Sequence, residues 1–141
     1  MNRRELILVA FAPALGEPHS PLQIQKLLFL IDRQIPHLVG GPHFQFVPYN
    51  YGPFDRTIYG DLAQLAADGL VEIIQNQTWR SYRLSVAGQR QAEALLAGLP
   101  ANVSDFIKRV SAFVRQLSFA ELVTAIYKAY PEMKQNSVFQ V

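Results

Sequence analysis

Residues 53–84 read PFDRTIYGDLAQLAADGLVEIIQNQTWRSYRL, and this stretch decides the fold. Phe54, Ile58, Leu62 and Leu65 recur at helical spacing and put one apolar face on a helix. Pro53 suits its first position, and Gly69 suits the left-handed position just past its end. Gly60 inside the helix costs roughly 1 kcal/mol against alanine, which close packing on a neighbouring helix explains. Residues 70–74 then form a short β-branched run, residues 75–78 are polar, and residues 79–84 alternate. That spacing predicts a two-stranded hairpin with a four-residue tip.

Upstream, Ser20-Pro21-Leu22-Gln23 is a helix start. Ser20 can accept a backbone N–H, Pro21 fits the first turn, and Gln23 completes a capping box. Ile24, Leu27, Leu28 and Ile31 follow at helical spacing, and Leu22, Phe29 and Leu30 make the helix apolar nearly all round. Such a helix is central and buried. Before it, Leu6, Ile7, Ala10 and Phe11 predict a short helix stopped at Pro13, with a loop over residues 16–19. Between the second and third helices, residues 36–53 hold four prolines and three glycines. Residues 43–47 can be a short strand there, which proline confines to an edge.

Downstream, Ser85 caps a helix to about Ala97, broken by Gly98 and Pro100. Val103, Phe106, Ile107, Val110, Phe113, Val114 and Leu117 carry the cleanest helical period in the chain. Ser118 and Glu121 form a further capping box. Phe119, Leu122, Val123, Ile126 and Tyr127 line the last helix, which Pro131 ends. Residues 132–141 are an unpatterned tail. The expected fold is mainly α with a small β-hairpin, a winged helix-turn-helix with additional C-terminal helices. It is one domain over residues 1–141, with its core in about 1–85 and the extra helices in about 86–131. The link between the second and third helices is much longer than the usual tight turn.

Composition narrows the function. At 141 residues the chain is the size of one domain. Apolar residues make up 50% and charged residues 17%, which excludes a disordered chain and leaves apolar surface for a partner. The absence of cysteine excludes disulfides, Cys-ligated zinc, iron–sulfur clusters and a thiol nucleophile. A net charge of +2 does not by itself demand nucleic acid. No apolar run reaches the ~18 residues of a membrane span. Arg3 and Arg4 precede an apolar stretch, but Glu5 and Pro13 interrupt a signal-peptide pattern. The expected location is cytoplasmic.

Three segments carry a resemblance. They are Leu22-Gln23-Ile24-Gln25-Lys26-Leu27-Leu28-Phe29-Leu30, then Tyr49-Asn50-Tyr51-Gly52-Pro53-Phe54 with Ile58-Tyr59, Leu65 and Gly69-Leu70-Val71, and finally Leu122, Ile126-Tyr127, Tyr130-Pro131-Glu132 and Asn136-Ser137. Together, over about residues 20–137, they resemble the YwgA-like bacterial and archaeal winged-helix proteins and, more distantly, the Panacea antitoxin domains. The resemblance implies a winged-helix fold. Through the Panacea relatives it implies neutralisation of a protein toxin. It implies no catalytic residue.

The candidate residues divide between two readings. On the hairpin, alternation sets Tyr82 and Leu84 on one face and Trp79 and Arg83 on the other. Arg80 and Arg83 suit phosphate contacts, Trp79 suits stacking, and Arg90 extends the basic strip. The alternative is a solvated strand with Trp79 packed on the C-terminal helices. In the third helix, Arg56 and Thr57 lie at the end where base contacts originate, and Gln64 is a further candidate. Asp55, Asp61 and Asp68 against Arg56 leave that segment at −2, which argues against entry into a major groove.

Tyr49 and Tyr51, with Asn50, offer a partner platform, or else cover the core with their hydroxyls in water. Phe106, Phe113, Ile126 and Tyr127 are candidates for a homodimer interface, or else complete a monomeric core. His19, His37 and His43 with Asp32 lack metal-ligand spacing, and no nucleotide-binding or nucleophile motif occurs. The expectation is a non-enzymatic protein without metal or cofactor. The first reading is a nucleic-acid-binding regulator, and the alternative is a protein-interaction module such as an antitoxin or adaptor.

Overall fold

A helix begins where a side chain satisfies its first free N–H groups. Asn2 and Glu5, Ser20 and Gln23, and Ser118 and Glu121 each form a reciprocal capping box. In the computed structural model, which describes residues 1–139, these open α1 (Arg3–Phe11), α2 (Pro21–Gln34) and the last helix, α6 (Phe119–Ala129). Between α2 and α6 come β1 (Val47–Tyr49), β2 (Gly52–Phe54), α3 (Ile58–Ala67), β3 (Val71–Gln75), β4 (Arg80–Leu84), α4 (Val86–Ala97) and α5 (Ala101–Gln116). The described residues are mainly helical, with two small antiparallel strand pairs, β1–β2 and β3–β4. No described helix is long and apolar enough to cross a membrane.

The core is built around α1 and α2. Residues 6–11 of α1 are all buried, more than the one-sided stripe expected. The reason is crowding: α2, α4, α5 and β4 all pack on this short helix. Residues 24–32 of α2 are likewise all buried, as a helix apolar nearly all round requires. Leu27, Leu28, Ile31, Ile58, Leu62 and Leu65 share this core. Phe54, expected on one helix face with Ile58, Leu62 and Leu65, does not. It lies in β2, half-buried, with its ring on Tyr49 at 4.7 Å.

The link between α2 and α3 departs most from expectation. The strand expected over residues 43–47 begins only at Val47. Residues 43 and 44 are held instead by Asp32, whose carboxylate accepts the N–H groups of His43 (2.9 Å) and Phe44 (3.0 Å). Pro53 does not open a helix. It sits in β2 opposite Pro48, where a two-stranded pair leaves one edge with no N–H to supply. The α3 helix starts five residues later, after a turn in which Asp55 accepts the Thr57 N–H at 2.9 Å.

The long hairpin pairs Val71 with Leu84 through Gln75 with Arg80, so its tip is residues 76–79, one residue later than expected. Gly69 closes α3 at φ +78°, as expected. His19 exchanges two backbone hydrogen bonds with Tyr82, at 2.8 and 3.0 Å, and so joins the free edge of β4. Gly60 is not a packing glycine, because a side chain there would meet open space. Close approach occurs instead at Gly88, where a Cβ would collide with the Leu70 backbone. The expected tail also has structure: Pro131–Lys134 is a 3-10 turn that buries Met133.

Candidate functional site

Two regions carry the residues with chemistry, and the long hairpin beside α3 is the first. On α3 and the turn before it, Arg56, Gly60, Ala63, Gln64 and Ala67 are exposed at helical spacing. The acids are turned away from this face or matched. Arg3 donates to Asp61 from Nε at 3.0 Å, and Arg4 pairs with Asp68 at 2.5 Å. The segment's −2 is thus offset by two arginines of α1. Burial alone would raise the Asp55 carboxyl. Hydrogen bonds from the Thr57 hydroxyl and from the Gln45 and Thr57 amides outweigh it, with the Arg3 charge, and hold it below the usual range. Thr57 is committed as well: its hydroxyl donates to Asp55 at 2.6 Å and accepts from Arg3 at 2.8 Å.

On the hairpin, Trp79 is 53% exposed. Arg80 and Arg83 are exposed, and each has a cross-strand partner. Arg80 Nε donates to Gln75 at 2.8 Å, and Arg83 Nε donates to Glu72 at 2.8 Å. Arg90 lies beside Leu84 and Ser85 at the base of the hairpin.

The second region includes Tyr49 and Tyr51, the expected partner platform, together with two buried polar residues that were not anticipated. Gln25 and Lys26, consecutive in α2, reach across to the β2 strand. The Gln25 amide binds the Asp55 backbone twice, donating to its carbonyl at 3.0 Å and accepting from its N–H at 2.8 Å. Lys26 Nζ donates to the Pro53 carbonyl at 3.2 Å. The Lys26 residue is only 2% exposed, and burial pushes its amine down to about 7. No carboxylate pairs with it among the described residues.

Lys26 also lines an open pocket of about 300 Å³, walled besides by Leu22, Tyr49, Tyr51, Phe54, Tyr59 and Phe119. Tyr49 and Tyr51 are half-exposed at its rim, and Tyr51 meets Phe119 edge-on at 5.0 Å. The C-terminal segment buttresses the rim. The Val138 N–H donates to the Asn50 carbonyl at 2.9 Å, and Phe139 lies against Phe119 at 5.7 Å. The signal for this site was present in the sequence. A helix read as buried nearly all round carries a lysine in its middle, and that lysine has to be buried too.

The expected dimer residues differ in burial. Ile126 and Tyr127 are 1% and 5% exposed within their own chain, and the Tyr127 hydroxyl donates to Ser137 at 2.6 Å. Tyr127 is thereby tied to the chain's own tail, whereas Ile126, though buried, lines a recess together with Phe113. Phe106 is half-buried against the core. Phe113, 42% exposed beside a recess with Arg109 and Ala125, is left as the exposed ring of the four. No protein-family model matches the chain, and no curated protein is similar to it. The motif resemblance therefore rests on those residues alone.

Proposed function

We propose that this chain is a non-enzymatic winged-helix protein of the cytoplasm that binds duplex DNA through α3 and the β3–β4 hairpin. The observation that carries this reading is the charge arrangement on α3. Its acids are engaged by Arg3, Arg4 and backbone N–H groups, while the face from Arg56 to Ala67 stays open and small. Small side chains let a helix lie deep in a groove, and Arg56 stands at its N-terminal end. The order of elements supports the fold. A helix, a single bridge residue at His19, a second helix, the β1–β2 pair, a third helix and a hairpin follow one another, with the bridge on the outer edge of β4.

Fluorescence anisotropy with a labelled duplex at low salt tests the proposal. Binding should weaken steeply with salt, and the double change Arg80→Glu and Arg83→Glu should weaken it at least tenfold and flatten the salt slope. Absence of duplex binding at low salt removes the reading. The second reading, a protein-interaction module, is favoured by the exposed rings of Tyr49, Tyr51 and Phe119 clustered around one pocket. A homodimer remains part of either reading, with Phe113 as its contact. Light scattering decides it: a mass near 16 kDa is a monomer, and twice that, lost on Phe113→Asp, is the dimer.

A further inference from the structure

We infer that the pocket under the β1–β2 turn binds a small carboxylate with a flat apolar body. The carboxylate would rest on the Lys26 amine and the body between the surrounding rings. The inference stands whether or not α3 binds DNA. It begins with an unbalanced group. An ammonium has three donors, and one of those on Lys26 goes to the Pro53 carbonyl. No acid pairs with it among the described residues, and a buried charge without a partner is costly. The other polar side chain deep in the pocket, Gln25, has both amide atoms spent on Asp55. The cavity therefore offers one cation and nothing to neutralise it, which selects an anion.

The walls select the rest of the ligand. Leu22, Tyr49, Tyr51, Phe54, Tyr59 and Phe119 line the same space as Lys26. A volume of about 300 Å³ is at the small end for ligand pockets, the size for a body of one or two rings. One cation among apolar walls suits a monoanion better than inorganic phosphate, which carries more charge and no apolar part. Backbone geometry keeps the amine in place. Gly52 has φ +104°, and a Cβ there would stand 3.3 Å from the Tyr127 ring and 3.7 Å from Lys26 Nζ. Glycine at this position lets the turn cross directly over the lysine.

Around the amine, the titratable groups are Tyr49 and Tyr51 from the turn, Tyr59 from α3, Tyr127 from α6, and Asp55 beyond Pro53. Asp55 already accepts hydrogen bonds from Gln45 and Thr57. The group that titrates near neutrality here is Lys26 itself. A bound carboxylate requires it protonated, so binding takes up a proton above pH ~7.

Calorimetric titration of the full chain with phenylacetate, its neutral amide phenylacetamide, and inorganic phosphate tests the site. Phenylacetate should bind saturably at pH 6.5, at least tenfold tighter than either of the others. Lys26→Met should lose that tenfold while binding phenylacetamide as the wild type does. Circular dichroism confirms that the variant is folded. In the wild type, affinity for phenylacetate should be level from pH 6 to 7 and then fall, approaching tenfold per pH unit by pH 9. That profile needs no variant. Equal binding of acid and amide, unchanged binding by a folded Lys26→Met, phosphate binding as tight as phenylacetate, or a pH profile level to 9 would each overturn the inference. So would no saturable phenylacetate binding at millimolar concentration.

Discussion

The two hairpins of this fold differ in where they put positive charge. The long one, β3–β4, carries Arg80 and Arg83 in water, each already matched by a neighbour across the ladder. The short one, β1–β2, lies over a single lysine that α2 buries and that meets one backbone carbonyl. In sequence the long hairpin shows its charges, and the short one shows Tyr49 and Tyr51 but not the lysine beneath them. Energetically the order is reversed. An exposed ion pair contributes ~0–1 kcal/mol, whereas an unpaired buried charge costs several. The short hairpin is the place where the chain gives up stability, and a site is what that loss suggests.

The largest effect expected is at Lys26. Its amine titrates at about 7 in the folded chain against 10.5 when unfolded. Between those values the unfolded chain holds the extra proton, so wild-type stability rises as pH goes from 7 to 10.5. Lys26→Met removes both the penalty and the slope, at the loss of one hydrogen bond to Pro53. It should therefore stabilise the fold at pH 7 by about 2–4 kcal/mol in urea unfolding. A destabilised Lys26→Met would show that the amine is a structural tie, and the contrast between the hairpins would collapse.

The base of the long hairpin has its own buried titrating group. His19 is fully buried against Phe11, and neither ring nitrogen has a partner among the described residues. Burial, helped by the Arg115 charge, pushes it down to about 4 from 6.5. Here the unfolded chain takes up the proton between pH 6.5 and 4, so stability falls as pH drops through that window. The loss should reach about 2–3 kcal/mol by pH 4. His19→Leu should remove that share of the acid sensitivity in thermal melts from pH 7 to 4. An unchanged slope would mean that the ring is hydrated in solution.

A smaller effect is expected at the short turn itself. Gly52→Ala places a Cβ at φ +104° and against the Tyr127 ring, so it should cost about 1–3 kcal/mol. The same change at Gly60 meets open space and should stabilise α3 by about 0.5–1 kcal/mol. Parallel urea titrations of the two variants should move in opposite directions. If they do not, Gly52 is not what seats the turn on Lys26.

What the sequence disclosed follows from range. The capping boxes at Ser20 and Ser118, the buried stripe of α2 and the pairing of residues 71–84 are local, and they were legible. Pro53 misled because proline fits both the first turn of a helix and the edge of a two-stranded ladder. Only the contacts of Gln25 and Lys26 decide between those uses. The −2 of α3 was an incomplete count, because Arg3 and Arg4, more than fifty residues upstream, pair with two of its acids. The Lys26 site lay in the sequence as a contradiction, a cation inside an apolar helix. Its meaning depended on which segment folds over it.

The smallest effect concerns the Arg83–Glu72 pair. Its side chains are about half-exposed, and Glu72 faces Arg83 across the ladder. Opposite charges at such a position contribute roughly 0.2–1 kcal/mol. A double-mutant cycle with Arg83→Ala and Glu72→Ala should give a coupling of about 0.5 kcal/mol, weaker still at 1 M salt, where the screening length is ~3 Å. The consequence for function is sharper than the one for stability. If Arg83 contacts phosphate, binding has to draw it from Glu72 or share it. Glu72→Ala should then strengthen duplex binding while leaving the urea midpoint almost unmoved. A coupling above about 1.5 kcal/mol, with no gain in binding from Glu72→Ala, would make the pair a structural clasp. The long hairpin would then be the rigid region, and its arginines would have no free role at a DNA backbone.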